Sequence, residues 1–154
     1  MPSERGASHV ALVIGTQKGL FVARSSLARA RWRLEGPHLA GYEILHAWLD
    51  PRNSQTGYAA AAHPVWGAHL YRTGDAGRRW TPLTRGLPQR RAYVSVLREA
   101  MDADGIEPCG LYFGTTNGQL FASRDGGEHW RVLARFLPRI LSVRAAVVAR
   151  DPDR

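Results

Sequence analysis

Ser123-Arg124-Asp125-Gly126-Gly127-Glu128-His129-Trp130 follows Gly114-Thr115-Thr116-Asn117-Gly118-Gln119-Leu120-Phe121-Ala122. Read together, the two stretches predict a strand, a tight turn at Gly118 and a second strand ending at Ser123. A longer turn then leads to a tryptophan that opens a third strand. Gly118 supplies the positive φ that a tight hairpin needs. Asp125 is placed to fold its carboxylate onto the backbone N–H groups of its own turn. Gly127 relaxes the backbone there, and Trp130 can lay its indole over the turn and into the sheet.

The same grammar recurs at Thr73-Gly74-Asp75-Ala76-Gly77-Arg78-Arg79-Trp80, with Thr73, Asp75, Gly77 and Trp80 matching Ser123, Asp125, Gly127 and Trp130. A weaker copy runs from Gly15-Thr16-Gln17-Lys18-Gly19-Leu20-Phe21 to Trp32, where Ser25 to Arg31 holds no Asp or Gly and Ala28 to Arg31 could form a helical turn. Trp32 and Trp80 are 48 residues apart, and Trp80 and Trp130 are 50 apart. A repeat of that length with four short strands is the signature of a β-propeller blade.

In chain order, residues 1–8 form a polar tail and residues 9–149 a single propeller-like domain. Its units are 9–36, 40–88 and 92–137, with 150–154 a charged tail. The first unit holds strands at His9–Ile14, Leu20–Arg24 and Trp32–Leu34, the last closed by Gly36-Pro37. The second holds Tyr42–Leu49, Tyr58–Ala62, His69–Thr73 and the strand after Trp80. Tyr58–Ala62 is made of small residues suited to a tightly packed sheet. The third holds Tyr93–Arg98, Leu111–Thr115, Gln119–Ser123 and Trp130–Ala134, with Ala100–Pro108 an acidic surface loop. A last β-rich run at 141–149 would give the first blade its fourth strand. The expected fold is therefore all-β, a partial propeller of about three four-stranded blades. Three blades cannot close a ring alone, so pairing with a second chain is one way to complete it.

Composition agrees with this class. The chain of 154 residues is 44% hydrophobic, with 16 Gly, 9 Pro and 5 Trp and no long helical pattern. Its net charge is +8 and Lys18 is the only lysine. The arginines are scattered through turns and strand ends, densest at Arg24, Arg29, Arg31 and Arg33, with Arg78-Arg79 and Arg90-Arg91 elsewhere. Scatter favours a solvated surface over a nucleic-acid face, with anionic-polymer binding a second alternative. Cys109 is alone, so no intramolecular disulfide forms. The N-terminus lacks a signal-peptide layout and Val10 to Ile14 is too short for a membrane span. The expected location is the cytoplasm, away from membranes.

The repeated Ser/Thr-x-Asp-x-Gly-x-x-Trp turns resemble the Asp-box, or bacterial neuraminidase repeat (BNR), of sialidase-type propellers. The wider chain is similar to bacterial WD40/YVTN/BNR-like proteins labelled as glycosyl hydrolases or exo-α-sialidases. Gly15–Phe21, His46-Ala47-Trp48-Leu49-Asp50-Pro51-Arg52, His63-Pro64-Val65-Trp66-Gly67, Tyr93–Met101 and Leu111–Trp130 carry the likeness. The resemblance implies a propeller that has lost its middle blades, joined near Asp75 to Leu87.

The chemistry does not follow the resemblance. An aspartate that caps its own turn at a blade edge is structural, which assigns Thr73, Asp75, Gly77, Trp80, Ser123, Asp125, Gly127 and Trp130 to architecture. A sialidase needs an arginine cluster, an acid/base carboxylate and an activated tyrosine. The Arg-Ile-Pro element that marks that site is absent, and Arg139-Ile140-Leu141 does not match it. No residue is carried over as catalytic. Glu43 and Glu99 are the only acids on expected inner strands, better read as solvated or ion-paired. His46, His63 and His69 match no metal motif, so neither metal nor cofactor is expected. The ligand-binding candidates are His46, His63, Trp66, Tyr93 and Arg98, with the loop His63–Gly67 as the leading recognition surface for a carbohydrate or protein ligand. The expected function is a non-catalytic binding or scaffold module, the alternative a glycoside hydrolase remnant or subunit.

Overall fold

The computed structural model describes residues 9–53, 55–63, 67–88, 96 and 99–148. These residues form three antiparallel sheets and contain no helix, hence none able to cross a membrane. Every sheet is a meander, each strand hydrogen-bonded to its sequence neighbour. The first contains β1 (His9–Thr16), β2 (Gly19–Ser26) and β3 (Arg33–His38). The second contains β4 (Glu43–Leu49), β5 (Gly57–His63), β6 (Gly67–Thr73) and β7 (Thr81–Leu83). The third contains β8 (Met101–Ala103), β9 (Leu111–Gly114), β10 (Leu120–Ser123) and β11 (Arg131–Ala134). The chain divides into two compact units, Met1–Leu83 and Thr84–Arg154, so the first two sheets share a unit and the third stands in its own.

Local chemistry sets the hairpins. Thr16 pairs with Gly19 across the two-residue turn Gln17-Lys18. The Thr16 hydroxyl donates to the Gly19 carbonyl at 2.7 Å and accepts the Lys18 N–H at 3.1 Å. At Gly118, φ is 82°, and a Cβ there would run into the Leu137 backbone, so only glycine serves.

In the first unit the core joins two sheets. Leu20 and Val22 of β2 are buried against Ile44, Ala59 and Ala61 of the second sheet. Each such aliphatic side chain contributes about 1.5–3 kcal/mol relative to exposure. The alanines of β5 keep the sheet surface low, which permits close approach and agrees with the sequence reading of that strand. In the second unit Phe113 and Phe121 face each other across β9 and β10, stacked at 4.9 Å. Trp130 meets Phe113 edge-on at 5.1 Å.

Several expectations need correction. Residues 27–31 form a turn rather than a helical one, with Arg29 at φ 55°. β3 does not stop at Gly36-Pro37 but pairs onward to His38 opposite Leu20. Within the expected loop Ala100–Pro108, Met101–Ala103 is instead a strand paired with β9. The reason is that Ala100 and Met101 are buried, and Asp104 turns inward. Its carboxylate accepts the N–H groups of Ile106 and Gly110 at 2.8 and 3.0 Å and the Tyr112 hydroxyl at 2.8 Å. Most of the expected strand Tyr93–Arg98 lies outside the described residues, as do both tails.

The expected closing strand at 141–149 is not formed over its described part, so the first sheet has three strands among the described residues. Ser142 makes a single parallel bridge to Glu99. The Val143 N–H donates to the Glu99 carbonyl at 2.9 Å, and the Ala145 N–H donates to the Asp102 carboxylate at 2.8 Å. Arg144 pairs with the Glu99 carboxylate. Two of the segment's N–H groups, those of Val143 and Ala145, are thus engaged within its own unit.

Candidate functional site

Two aspartate turns share most of their hydrogen bonds. In the turn after β6, the Thr73 hydroxyl donates to Asp75 Oδ1 at 2.9 Å and accepts the Gly77 N–H at 2.9 Å. Asp75 also accepts the N–H groups of Arg78 and Arg79 at 3.1 and 2.8 Å and the Arg79 Nε at 2.7 Å. Trp80 Nε1 donates to the Gly77 carbonyl at 3.0 Å. In the turn after β10, the Ser123 hydroxyl donates to Asp125 at 2.8 Å and accepts the Gly127 N–H at 2.9 Å. Asp125 accepts the His129 N–H at 2.9 Å, and Trp130 Nε1 donates to the Gly127 carbonyl at 3.0 Å. His129 Nδ1 lies 2.9 Å from Asp125 Oδ2, and it donates there because an ionised carboxylate only accepts.

The pKa shifts follow from these bonds. The Arg79 side chain and N–H hold the Asp75 carboxyl well below the usual carboxylate range. The His129 N–H, with its imidazole and the Ser123 hydroxyl, holds Asp125 at about 2. A carboxylate so engaged is a poor proton donor or acceptor near neutral pH. Both aspartates are engaged within their own turns.

The first copy differs. Ser25 stands where Thr73 and Ser123 stand, Leu27 replaces the aspartate, and Arg31 occupies the place of Arg79 and His129. The buried Ser25 hydroxyl donates to the Arg31 carbonyl at 2.6 Å, so the hydroxyl still closes the turn, on a different acceptor. Arg29 keeps the left-handed conformation of Gly77 and Gly127, with φ values of 55°, 86° and 91°. Without the aspartate, Arg31 has no carboxylate partner among the described residues. Trp32 is 44% exposed, against 6% for Trp130.

Beside this turn lies a groove of about 440 Å³, lined by Arg24, Arg31, Arg33, Arg78, Trp32 and His9 among others. Arg24 crosses from β2 to donate to the Ala76 carbonyl in the second sheet's aspartate turn. Its Nε lies 3.4 Å from Glu35, whose other oxygen is 3.8 Å from Arg33. Arg24 Nη1 is buried with no acceptor. The run Arg24–Arg33 was visible in the sequence, but its meeting with Arg78 was not, because sheet packing makes it.

Of the expected ligand residues, Trp66, Tyr93 and Arg98 lie outside the described residues. His46 sits on β4 opposite Ala60, next to a register shift. His63 ends β5 and packs on Tyr42, the ring centroids 5.1 Å apart. His69 and Tyr71 approach the same tyrosine at 6.3 and 6.1 Å. Burial, with a hydrogen bond to Tyr42, pushes the Tyr71 hydroxyl up to about 12, so it stays protonated. The structure therefore gathers His63 with His69 and two tyrosines, but not in a metal geometry. No group of three His, Cys, Asp or Glu side chains among the described residues could hold a metal ion. Glu99 is ion-paired with Arg144, and Glu43 is an exposed residue of β4.

No protein-family model and no curated protein sequence matches the chain. A solved structure does: YCF48 bound to D1 peptide, with a TM-score of 0.54 and 17% sequence identity. The match covers 82% of this chain and 37% of that one, so this chain spans little more than a third of its neighbour's length. At that identity the likeness speaks for the fold alone. Three antiparallel sheets of three or four strands and a β-propeller neighbour make this an all-β, propeller-like fold.

Proposed function

We propose that the chain is an Asp-box propeller module of the BNR kind with a non-catalytic binding or scaffold role, its partner an extended peptide or protein segment. The observation that carries this reading is the commitment of Asp75 and Asp125 to their own turns. The most regularly repeated acids of the chain serve the scaffold, leaving its surfaces and grooves for binding. The neighbouring structure, a propeller protein bound to a peptide, is consistent with a binding or scaffold role. The proposed setting is the cytoplasm, where the buried Cys109 remains a thiol.

A peptide array probed with the purified full chain tests the reading. Capture of a subset of peptides, with no turnover of a fluorogenic sialoside or other glycoside, is the expected result. Sialoside turnover abolished by Glu99→Gln would overturn it in favour of a glycosidase remnant.

A further inference from the structure

The degenerate first turn carries a second consequence. In the two intact turns an aspartate engages the side chain of the residue four positions on, Arg79 at 2.7 Å and His129 at 2.9 Å. In the first turn Leu27 stands in that place, and Arg31 is left without a carboxylate among the described residues. Four arginines, Arg24, Arg31, Arg33 and Arg78, then line one groove, and among the described residues the only carboxylate paired with any of them is that of Glu35. The exposed Trp32 ring supplies an apolar plate beside them.

Building on the binding-module reading above, we propose that this groove is the docking site for an acidic peptide segment. Ligand carboxylates would pair with Arg31, Arg33 and Arg78, and an apolar or aromatic side chain would pack on Trp32. Glu35 already lies against Arg24 and Arg33 here, and guanidinium groups match a planar carboxylate in geometry as well as in charge. The charges come from three separate chain segments: β2, the turn into β3 with the first residue of that strand, and the aspartate turn after β6. That dispersion suits several singly charged carboxylates along a chain better than one compact phosphate. The small extent of the groove favours a short peptide over a nucleic acid, which needs a basic track following its backbone.

The test is fluorescence anisotropy on the full chain with a short labelled peptide of Glu, Asp and Tyr, and its Gln/Asn/Tyr counterpart. The acidic peptide is expected to bind at least about tenfold more tightly, and to weaken as salt screens the charges. The double variant Arg31→Glu with Arg78→Glu should lose about tenfold or more in affinity. Arg131→Glu with Arg135→Glu changes net charge equally on exposed residues of the other unit, and should change affinity by less than about twofold. Leu27→Asp removes no arginine yet returns the missing carboxylate, and should also weaken binding. Thermal melts confirm that each variant is folded. Equal losses from the two double variants, tighter binding of inorganic phosphate or single-stranded DNA, or equal binding of both peptides would overturn the groove assignment. In each of those cases capture on the array would leave the binding-module reading standing. A blank array together with no anisotropy change would instead remove both.

Discussion

Ser123–Trp130 and Ser25–Trp32 have the same length, begin with a buried serine hydroxyl, hold a left-handed residue four positions on (Gly127 and Arg29) and end in tryptophan. Only one of them holds an aspartate. Where it is present, its carboxylate gathers the turn's N–H groups and the following basic side chain, and the tryptophan is buried. Where it is absent, a serine–carbonyl bond closes the turn, the arginine loses its partner and the tryptophan is exposed. The lesson is that the aspartate does two jobs, one for the backbone and one for charge. A copy that loses it can remain a turn while becoming a basic surface.

That comparison can be broken first at the tryptophans. Trp130→Ala empties a buried site packed on Phe113, so it should cost about 3–5 kcal/mol in denaturant unfolding. Trp32→Ala should cost less than about 1 kcal/mol in the same measurement. Similar costs would mean that the first turn is as integral to the core as the third. The next test is the serine. Ser123→Ala leaves the buried Gly127 N–H without its acceptor at 2.9 Å, and should cost about 1–3 kcal/mol.

Acid titration gives a smaller effect. Asp125 has a folded-state value of about 2, below the ordinary carboxylate value of about 3.9. Its contribution is therefore fully present above pH 4 and is lost as pH falls from about 4 to 2. Asp75 is also depressed, so its contribution is lost over the same descent and beyond. Urea midpoints should fall across that window, and Asp125→Asn should flatten part of the fall. An unchanged slope in the variant would show that the turn does not hold the charged form. The smallest expected effect belongs to Leu27→Asp. A partly exposed pair with Arg31 should raise stability by less than about 1 kcal/mol, read as a slightly higher melting temperature. A marked loss of stability would show that the degenerate turn cannot accept the aspartate geometry.

Much of the architecture was legible. The apolar strands β1, β2 and β5, the hairpin glycines and the Asp-Trp turns each rest on local chemistry that does not need the rest of the molecule. β8 was not legible, because Met101-Asp102-Ala103 sits among acids and its pairing with β9 depends on burial of Ala100 and Met101. Residues 141–149 erred the other way. Val143, Val147 and Val148 favour a strand, yet strand propensity is realised only where an edge accepts the ladder, and here the pairing stops at one bridge to Glu99.

Sequence alone determined the blade-like repeat and pointed to turns that Asp75 and Asp125 cap for themselves, because such a turn is complete within eight residues. It also showed where the first copy lacks its aspartate. Tertiary structure alone decided what that lack produces. Arg78 joins Arg24, Arg31 and Arg33 only because the first sheet packs against the second, and Arg24 reaches Ala76 only across that packing. Charge density at a surface is a property of neighbours in space, and residues 54 positions apart in the chain, Arg24 and Arg78, become such neighbours only when the sheets bury their shared core.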